Sequence, residues 1–447
     1  MPPSDPRAGW RDHFAVAGIL VLTLLNLVPV ILFLVFGWVL GPALRAQRRR
    51  TLATPPPAPV DPPAVDAARF AGRRLAIVAG EASGDRLVAP VVAALLRAAP
   101  QLEIEALAGP ATEAVGATLR RDLTQDAVMG VTAVIASIGT WWSLLARTFA
   151  RWRVTPPDVL LTVDFPGLNV RLARFAKKRG VRTIHLVAPQ VWAHSPWRVV
   201  RWRRALHRLL ATFPFEVPLL ARAGIPTWHV GHPLFEAPAP APRTLREPPA
   251  GEAVVEIWPG SRRQEIGATA PLLALLAREL VSRRGPTRFV PRLADPADRE
   301  ALDAGWRTIE GAPALDADAG ALPLLGALAC SGTATAELAV ALVPHAGLYR
   351  VGRAKRALAW LGITAPYILL PNLVAGRRVV PERLLAGTGE AASAADDLLA
   401  PLADPARWSA TRADLETVRS RLVTSDVAER AARAVLAEAE PHLRTRS

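Results

Sequence analysis

The stretch "LAIVAGEASGDRL", Leu75 to Leu87, decides the fold. A short apolar run leads into Gly80. An acidic loop of small residues follows, and then a second apolar stretch. A buried strand that feeds a loop and a helix is the opening unit of a parallel α/β layer. The loop is not a standard phosphate loop, because no Gly-Lys-Ser/Thr follows it. It carries two carboxylates, Glu81 and Asp85, where a phosphate site needs donors.

Outward from this stretch the same rhythm recurs. "DVLLTVDFPG" (158–167), "RTIHLVAP" (182–189) and "RLLATFPFE" (208–216) are apolar runs ending in Gly, Pro or an acid, each followed by a helix-like run. "APAPAPRTLREPPAGEA", 237–253, interrupts the pattern as a proline-rich linker. The rhythm then restarts with "AVVEIWPGSRRQEI" (253–266), "RFVPRLA" (288–294), "ALACSGTATAEL" (327–338) and "PHAGLYRV" (344–351). Buried strands alternating with helices imply parallel sheets. The expected fold class is α/β, with two Rossmann-like domains and a cleft between them. The first spans 73–236 and the second 254–447, whose last segment, roughly 390–445, is helical. Ligands in such sheets bind beyond the C-terminal ends of strands.

Phe14 to Leu40 holds no charged residue. About 20 apolar residues cross a bilayer, and Asn26 and Pro29 are tolerated in a spanning helix. The run is too long for a signal-peptide core. Arg45, Arg48, Arg49 and Arg50 follow it, which places its C-terminal side in the cytoplasm. The reading is a single-pass anchor in the inner membrane over 1–50, with membrane lipid as a partner and the catalytic body on the cytoplasmic side. The proline-rich stretch 51–72 is a tether that leaves the relative orientation open.

The chain has 447 residues, 51% of them apolar, and a formal charge of +15 from 54 basic and 39 acidic side chains. All the basic residues but Lys177, Lys178 and Lys355 are arginine. This reflects coding bias, or a basic surface facing anionic lipid or ligand. The arginines form no stripe and no nucleic-acid motif is present, so nucleic acid is not expected as a partner. Cys330 is the single cysteine. It excludes an internal disulfide and a cysteine metal cluster, fits a reducing compartment, and reads as a packed core residue.

Candidate site residues lie at strand ends. In "WPGSRRQEI", Ser261 caps a helix start whose amides attract anions, and Arg262 adds forked donors; an ordinary capped helix is the alternative. In "CSGTATAE", Ser331 and Thr333 precede Glu337, which can accept two ribose hydroxyls or simply complement a helix dipole. "LPNLVAGRRVVPE" holds Asn372 and Arg377. "TVDFPGLN" puts Asp164 at a strand end with Asn169 five residues on, as a candidate base or a helix cap. "PQVWAHSPWR" contains Gln190, and "HVGHPLFE" places His232 at the end of the first half. No metal site is expected.

The ordered set "AGEASGD … DFPGLN … APQVWA … FPFE … VGHPL … PGSRRQEI … SGTATAE … LPNLVAGR … PE" resembles the lipid-A-disaccharide synthase family, membrane-associated glycosyltransferases of the two-Rossmann (GT-B) class, over residues 73–385. The resemblance implies an acceptor domain followed by a UDP-sugar donor domain, no cofactor and no metal. It implies inverting transfer of 2,3-diacylglucosamine from its UDP carrier to 2,3-diacylglucosamine 1-phosphate, giving a β-1,6-linked disaccharide phosphate and UDP. Asp164 matches the acidic strand-end residue and Arg262 the arginine near the donor diphosphate. Ser331, Thr333 and Glu337 match the donor loop, and Asn372 and Arg377 the segment lining the donor side. Glu81, Ser83 and Asp85 match the signature loop near the acceptor. The family commonly reads "DAPDFN" where this chain has "DFPGLN", so a second acid is missing at Gly167; the spanning helix is also atypical. Alternatives are a GT-B transferase with a different lipid-linked acceptor, or an inactive membrane-anchored homologue. Retention of Asp164, Arg262, Glu337 and Asn372 together argues against the second.

Overall fold

The computed structural model describes residues 27–57, 59, 61–124, 138–318, 320–352 and 363–444, with 9, 10, 13, 14, 16 and 17. It divides into two compact units. One comprises 1–36, 57–233 and 426–447, and the other 37–56 and 234–425.

The first unit holds a seven-stranded sheet in which every described pair is parallel. Its strands are β1 (Arg74–Ala79), β2 (Glu103–Ala108), β3 (Thr118–Asp122), β4 (Val159–Val163), β5 (Arg182–Leu186), β6 (Arg208–Ala211) and β7 (Thr227–His229), in the order β3-β2-β1-β4-β5-β6-β7. All of β4 is buried, as expected for a strand covered on both faces. Helix Ala82–Ala98 presents Val88, Val91, Val92 and Leu95 to the core, the three- and four-residue spacing of one helix face.

The second unit holds a five-stranded parallel sheet of β8 (Ala253–Trp258), β9 (Thr287–Pro291), β10 (Leu324–Cys330), β11 (His345–Arg350) and β12 (Glu382–Leu385), in the order β12-β11-β10-β8-β9. Its core gathers Ile266, Leu273, Leu276 and Leu280 of helix Arg263–Arg284 with Phe289, Leu328, Leu398 and Trp408.

Three boundaries differ from the sequence reading. The last helix, Val427–Arg444, belongs to the first unit rather than to 254–447. Ala431, Val435 and Ala439 join the first core. Glu438, 4% exposed, takes Arg182 of β5 and Arg208 of β6 on its two carboxylate oxygens. A buried acid held by two guanidiniums cannot leave them without exposing an unpaired buried charge. The stretch 237–253 is no free linker. It runs along the second unit, where Ala237 N donates to Thr424 O, Arg243 N to Ala341 O and Thr244 Oγ1 to Leu342 O.

The third difference concerns the N-terminal region. The predicted span Phe14–Leu40 lies in part outside the described residues, including 18–26. Among the described residues no helix is long and apolar enough to cross a membrane. What is described is helix Leu27–Ala53, continuing through the arginines into the expected tether. From Gly37 it is part of the second unit. Leu52 is buried, Arg45 Nη1 donates to Ile363 O at 2.8 Å, and the Arg49 guanidinium stands 5.7 Å over the Tyr367 ring. Gly376 permits the contact: it sits at φ 73°, and a Cβ there would lie 1.9 Å from the Leu52 carbonyl oxygen. Any side chain at 376 would therefore push the arm away.

Candidate active site

Ligand sites in open parallel sheets form beyond the carboxyl ends of strands, where the strand order reverses. The reversal lies between β1 and β4 in the first sheet and between β8 and β10 in the second. Glu81 and Asp164 directly follow β1 and β4. Ser261 and Arg262 follow β8, and Ser331 follows β10. Sequence order alone put these residues at strand ends; the topology puts them at the two switch points.

Asp164 and Phe165 both adopt left-handed backbone, at φ 45° and 42°. Two adjacent non-glycine residues in that region cost on the order of 1–3 kcal/mol each. Four devices hold the turn. Asp164 N donates to Leu186 O at 3.0 Å, and Asn169 N to Phe165 O at 3.2 Å. The Asn169 Nδ2 group donates to Val163 O at 2.9 Å and Asp164 O at 2.7 Å. The Phe165 ring occupies the space where Gly80 lacks a side chain, since a Cβ there would be 2.4 Å from the ring. Asn169 is fully buried, so it clamps the turn. The Asp164 carboxyl is left half-buried. Burial raises its pKa, and the Phe165 amide offsets only part of the rise. A carboxyl so raised is better matched to accept a proton from a hydroxyl.

Asp85 is placed otherwise than expected. It is 3% exposed. Its carboxylate accepts from Gly109 N at 3.0 Å, Ala111 N at 3.0 Å, Thr112 N at 3.1 Å and Thr112 Oγ1 at 2.5 Å. These are the orphan donors at the start of helix Pro110–Ala114. Asp85 ties the first turn of helix Ala82–Ala98 to the start of helix Pro110–Ala114, and its buried carboxylate is given over to that bracing. Ser83 is exposed on helix Ala82–Ala98, and Glu81 occupies that helix's N-cap position.

Farther along the sheet, Gln190 is exposed at the start of the turn Gln190–Trp192. Trp192 Nε1 donates to the buried Glu216 carboxyl at 3.3 Å, and Phe213 N donates to its other oxygen at 3.2 Å. Burial pushes Glu216 up to about 8, against those hydrogen bonds. The Phe213 ring packs 5.2 Å from His232, whose pKa burial pushes down to about 4. His232 is thus a neutral imidazole at physiological pH. Glu216 was missed as a site-shaping residue. Its one signal is the acid closing "FPFE", which on sequence grounds reads as a strand end.

In the second unit Ser261 and Arg262 are exposed, Arg262 at the N-cap position of helix Arg263–Arg284. Glu265, one turn in, reaches back: Ser261 N donates to its Oε2 at 3.4 Å and Cys330 Sγ to its Oε1 at 3.4 Å. This carboxylate joins the loop after β8 to the last residue of β10 and, after burial itself, drives the Cys330 thiol pKa up. Ser331 Oγ donates to Ile368 O at 3.3 Å, while Thr333 and Glu337 are exposed on helix Thr333–Val340.

Asn372 is fully buried, and its amide is saturated. Nδ2 donates to Val380 O and Glu382 Oε2, and Oδ1 accepts from Val379 N and Val380 N. Glu382 also accepts from Ile368 N and Leu369 N. Asn372 thus shapes the segment Leu370–Ala375 and acts through it. Arg377 makes a two-pronged pair with Asp414, at 2.9 and 2.5 Å. A cavity of about 640 Å³ lined by Arg74, Glu103, Arg120 and Arg151 opens at the other end of the first sheet and holds none of the predicted residues.

The family model described as lipid-A-disaccharide synthetase matches residues 75–437. The chain belongs to the lipid-A-disaccharide synthetase family. The lipid-A-disaccharide synthase of Geobacter sulfurreducens is 35% identical over 382 residues, covering 81% of this chain and 96% of that protein. That of Chromobacterium violaceum is 34% identical over 387 residues, covering 83% and 98%. Both switch points lie inside the matched region, whereas the apolar run and its arginines precede it.

Proposed function

We propose that this glycosyltransferase moves a 2,3-diacylglucosamine unit from UDP to the 6-hydroxyl of 2,3-diacylglucosamine 1-phosphate, with inversion. The observation that carries this reading is the strained, half-buried Asp164 at the switch point of the first sheet, in a chain of this family. Asp164 takes the proton of the attacking hydroxyl as the new bond forms at the anomeric carbon. The bond to UDP breaks, and its electron pair leaves with the diphosphate. Arg262 and the amides opening helix Arg263–Arg284 are the donors suited to that charge. Glu337 supplies an acceptor for ribose hydroxyls. The decisive assay measures UDP release from the diacylated UDP-sugar with and without the monosaccharide phosphate. Release that requires both supports the reading; release unaffected by the acceptor overturns it.

The anchor is the second part of the proposal. The charge-free run Phe14 to Leu40 and the following Arg45, Arg48, Arg49 and Arg50 support a single pass through the inner membrane with the body on the cytoplasmic side. Such an anchor raises the effective concentration of a lipid acceptor without a new contact. Because residues 37–56 are part of the second unit and Val16 joins the core of the first, a clean test keeps the whole chain and makes the double variant Leu22→Arg/Leu25→Arg, each charge costing about 2.5–3.5 kcal/mol at the centre of a spanning helix. Activity on vesicle-borne acceptor should fall about tenfold or more, as expected when tethering is lost, while activity on detergent-dispersed acceptor should hold. Equal losses would rule the anchor's role out.

A further inference from the structure

Helices Pro166–Lys177 and Val199–Ala205 pack against each other in the first unit. Each carries arginines three residues apart, Arg171 and Arg174 on one, Arg198 and Arg201 at the start of the other. That spacing puts each pair on one helix face. The four lie close enough that, after burial, the charges of Arg171, Arg198 and Arg174 push the Arg201 guanidinium below its ordinary range. Among the described residues, Arg174, Arg198 and Arg201 have no carboxylate within ion-pair distance. This is unlike Arg151 with Glu105, Arg182 and Arg208 with Glu438, or Arg243 and Arg292 with Glu256. His194, beside Arg198, has its pKa lowered by desolvation and by that arginine, and an imidazole brings no negative charge to offset the cluster. Gathered guanidiniums without a counter-charge repel one another, and a bound anion removes that cost.

The position of the cluster says which anion. Helix Pro166–Lys177 begins two residues after Asp164, and Arg171 Nη1 donates to Gly167 O in its first turn. From Pro166 to Arg171 the helix rises roughly 7.5 Å. In the proposed acceptor the phosphate sits on carbon 1 and the attacking hydroxyl on carbon 6, borne by the two ring carbons that flank the ring oxygen and separated by several ångströms. We propose that Arg174, Arg198 and Arg201, with Arg171 at their edge, form the subsite for the acceptor's phosphate, so that the enzyme selects the phosphorylated monosaccharide over its dephosphorylated form. This rests on the acceptor assignment above. A phosphate monoester offers three oxygens to forked donors, the geometry guanidinium groups fit.

The test uses the full chain in detergent. In the double variant R174Q/R201Q the KM for phosphorylated acceptor should rise about tenfold or more, the scale of one or two lost charge-assisted bonds. The KM for the UDP-sugar and kcat should stay within about twofold, and the preference for phosphorylated over dephosphorylated acceptor should collapse. Arg198→Gln keeps Arg174 and Arg201, and since Arg198 is exposed the change leaves the core alone; it should move the acceptor KM the same way, by less. Calorimetry with inorganic phosphate gives a readout independent of turnover: binding to the wild type, lost in the double variant, supports the site even if the acceptor assignment fails. No phosphate binding by the wild type, or unchanged acceptor discrimination in both variants, overturns it. Loss of binding to phosphatidylglycerol vesicles with acceptor kinetics untouched would overturn it too, and would assign the arginines to lipid headgroups.

Discussion

Asp164→Asn should lower kcat by about 10²–10⁴, the usual worth of a positioned general base, with both KM values little changed. The variant should not be less stable. Asparagine tolerates left-handed backbone at least as well as aspartate. The sign of the pKa shift points the same way. A carboxyl raised by burial favours the folded state when protonated and loses that contribution as pH rises through the folded pKa. The amide removes this loss, so its melting temperature at neutral pH should equal or exceed the wild type's. The wild-type kcat/KM should fall with decreasing pH along a limb displaced upward from the ordinary carboxylate range, and the residual activity of the variant should lack that limb. Turnover within twofold of the wild type would remove Asp164 as the base while leaving family membership intact.

The second large effect is on stability. Asp85→Ala should destabilise the first unit by about 3–5 kcal/mol, because four donors lose one buried acceptor and each orphaned group costs about 1–3 kcal/mol without full additivity. For a unit of this size the melting temperature should drop on the order of 10 °C. Enzyme assayed well below that temperature should keep most of its kcat, since Asp85 spends its oxygens on Gly109, Ala111 and Thr112. Unchanged stability with abolished activity would mean that the carboxylate reaches substrate after all.

The two aspartates mark where reading a sequence stops. Glu81 to Asp85 and Asp164 all appear as acids after apolar strands, and nothing in the chain order separates a base from a brace. The distinction depends on which amides another loop brings near. For Asp85 they come from a helix start 24 to 27 residues away, and for Asp164 only the neighbouring amide helps. Asn372 repeats the lesson: it matches a donor-side motif, yet the returning segment before β12 uses every hydrogen bond its amide can make. The arginine cluster was equally hidden, because Arg171 and Arg201 are thirty residues apart and only helix packing joins them.

Local pattern determined the strands β1, β4, β5, β6, β8, β9, β10 and β11, the parallel α/β class and the family, because a buried strand before a tight loop leaves a mark within ten residues. Tertiary structure alone decided the strand order that creates the switch points. It also decided that the final helix returns to the first unit through Glu438, and which polar groups at strand ends remain free. Those outcomes depend on partners distant in sequence. A side chain's hydrogen-bonding capacity is fixed by its chemistry, but what consumes that capacity is settled only when the chain closes on itself.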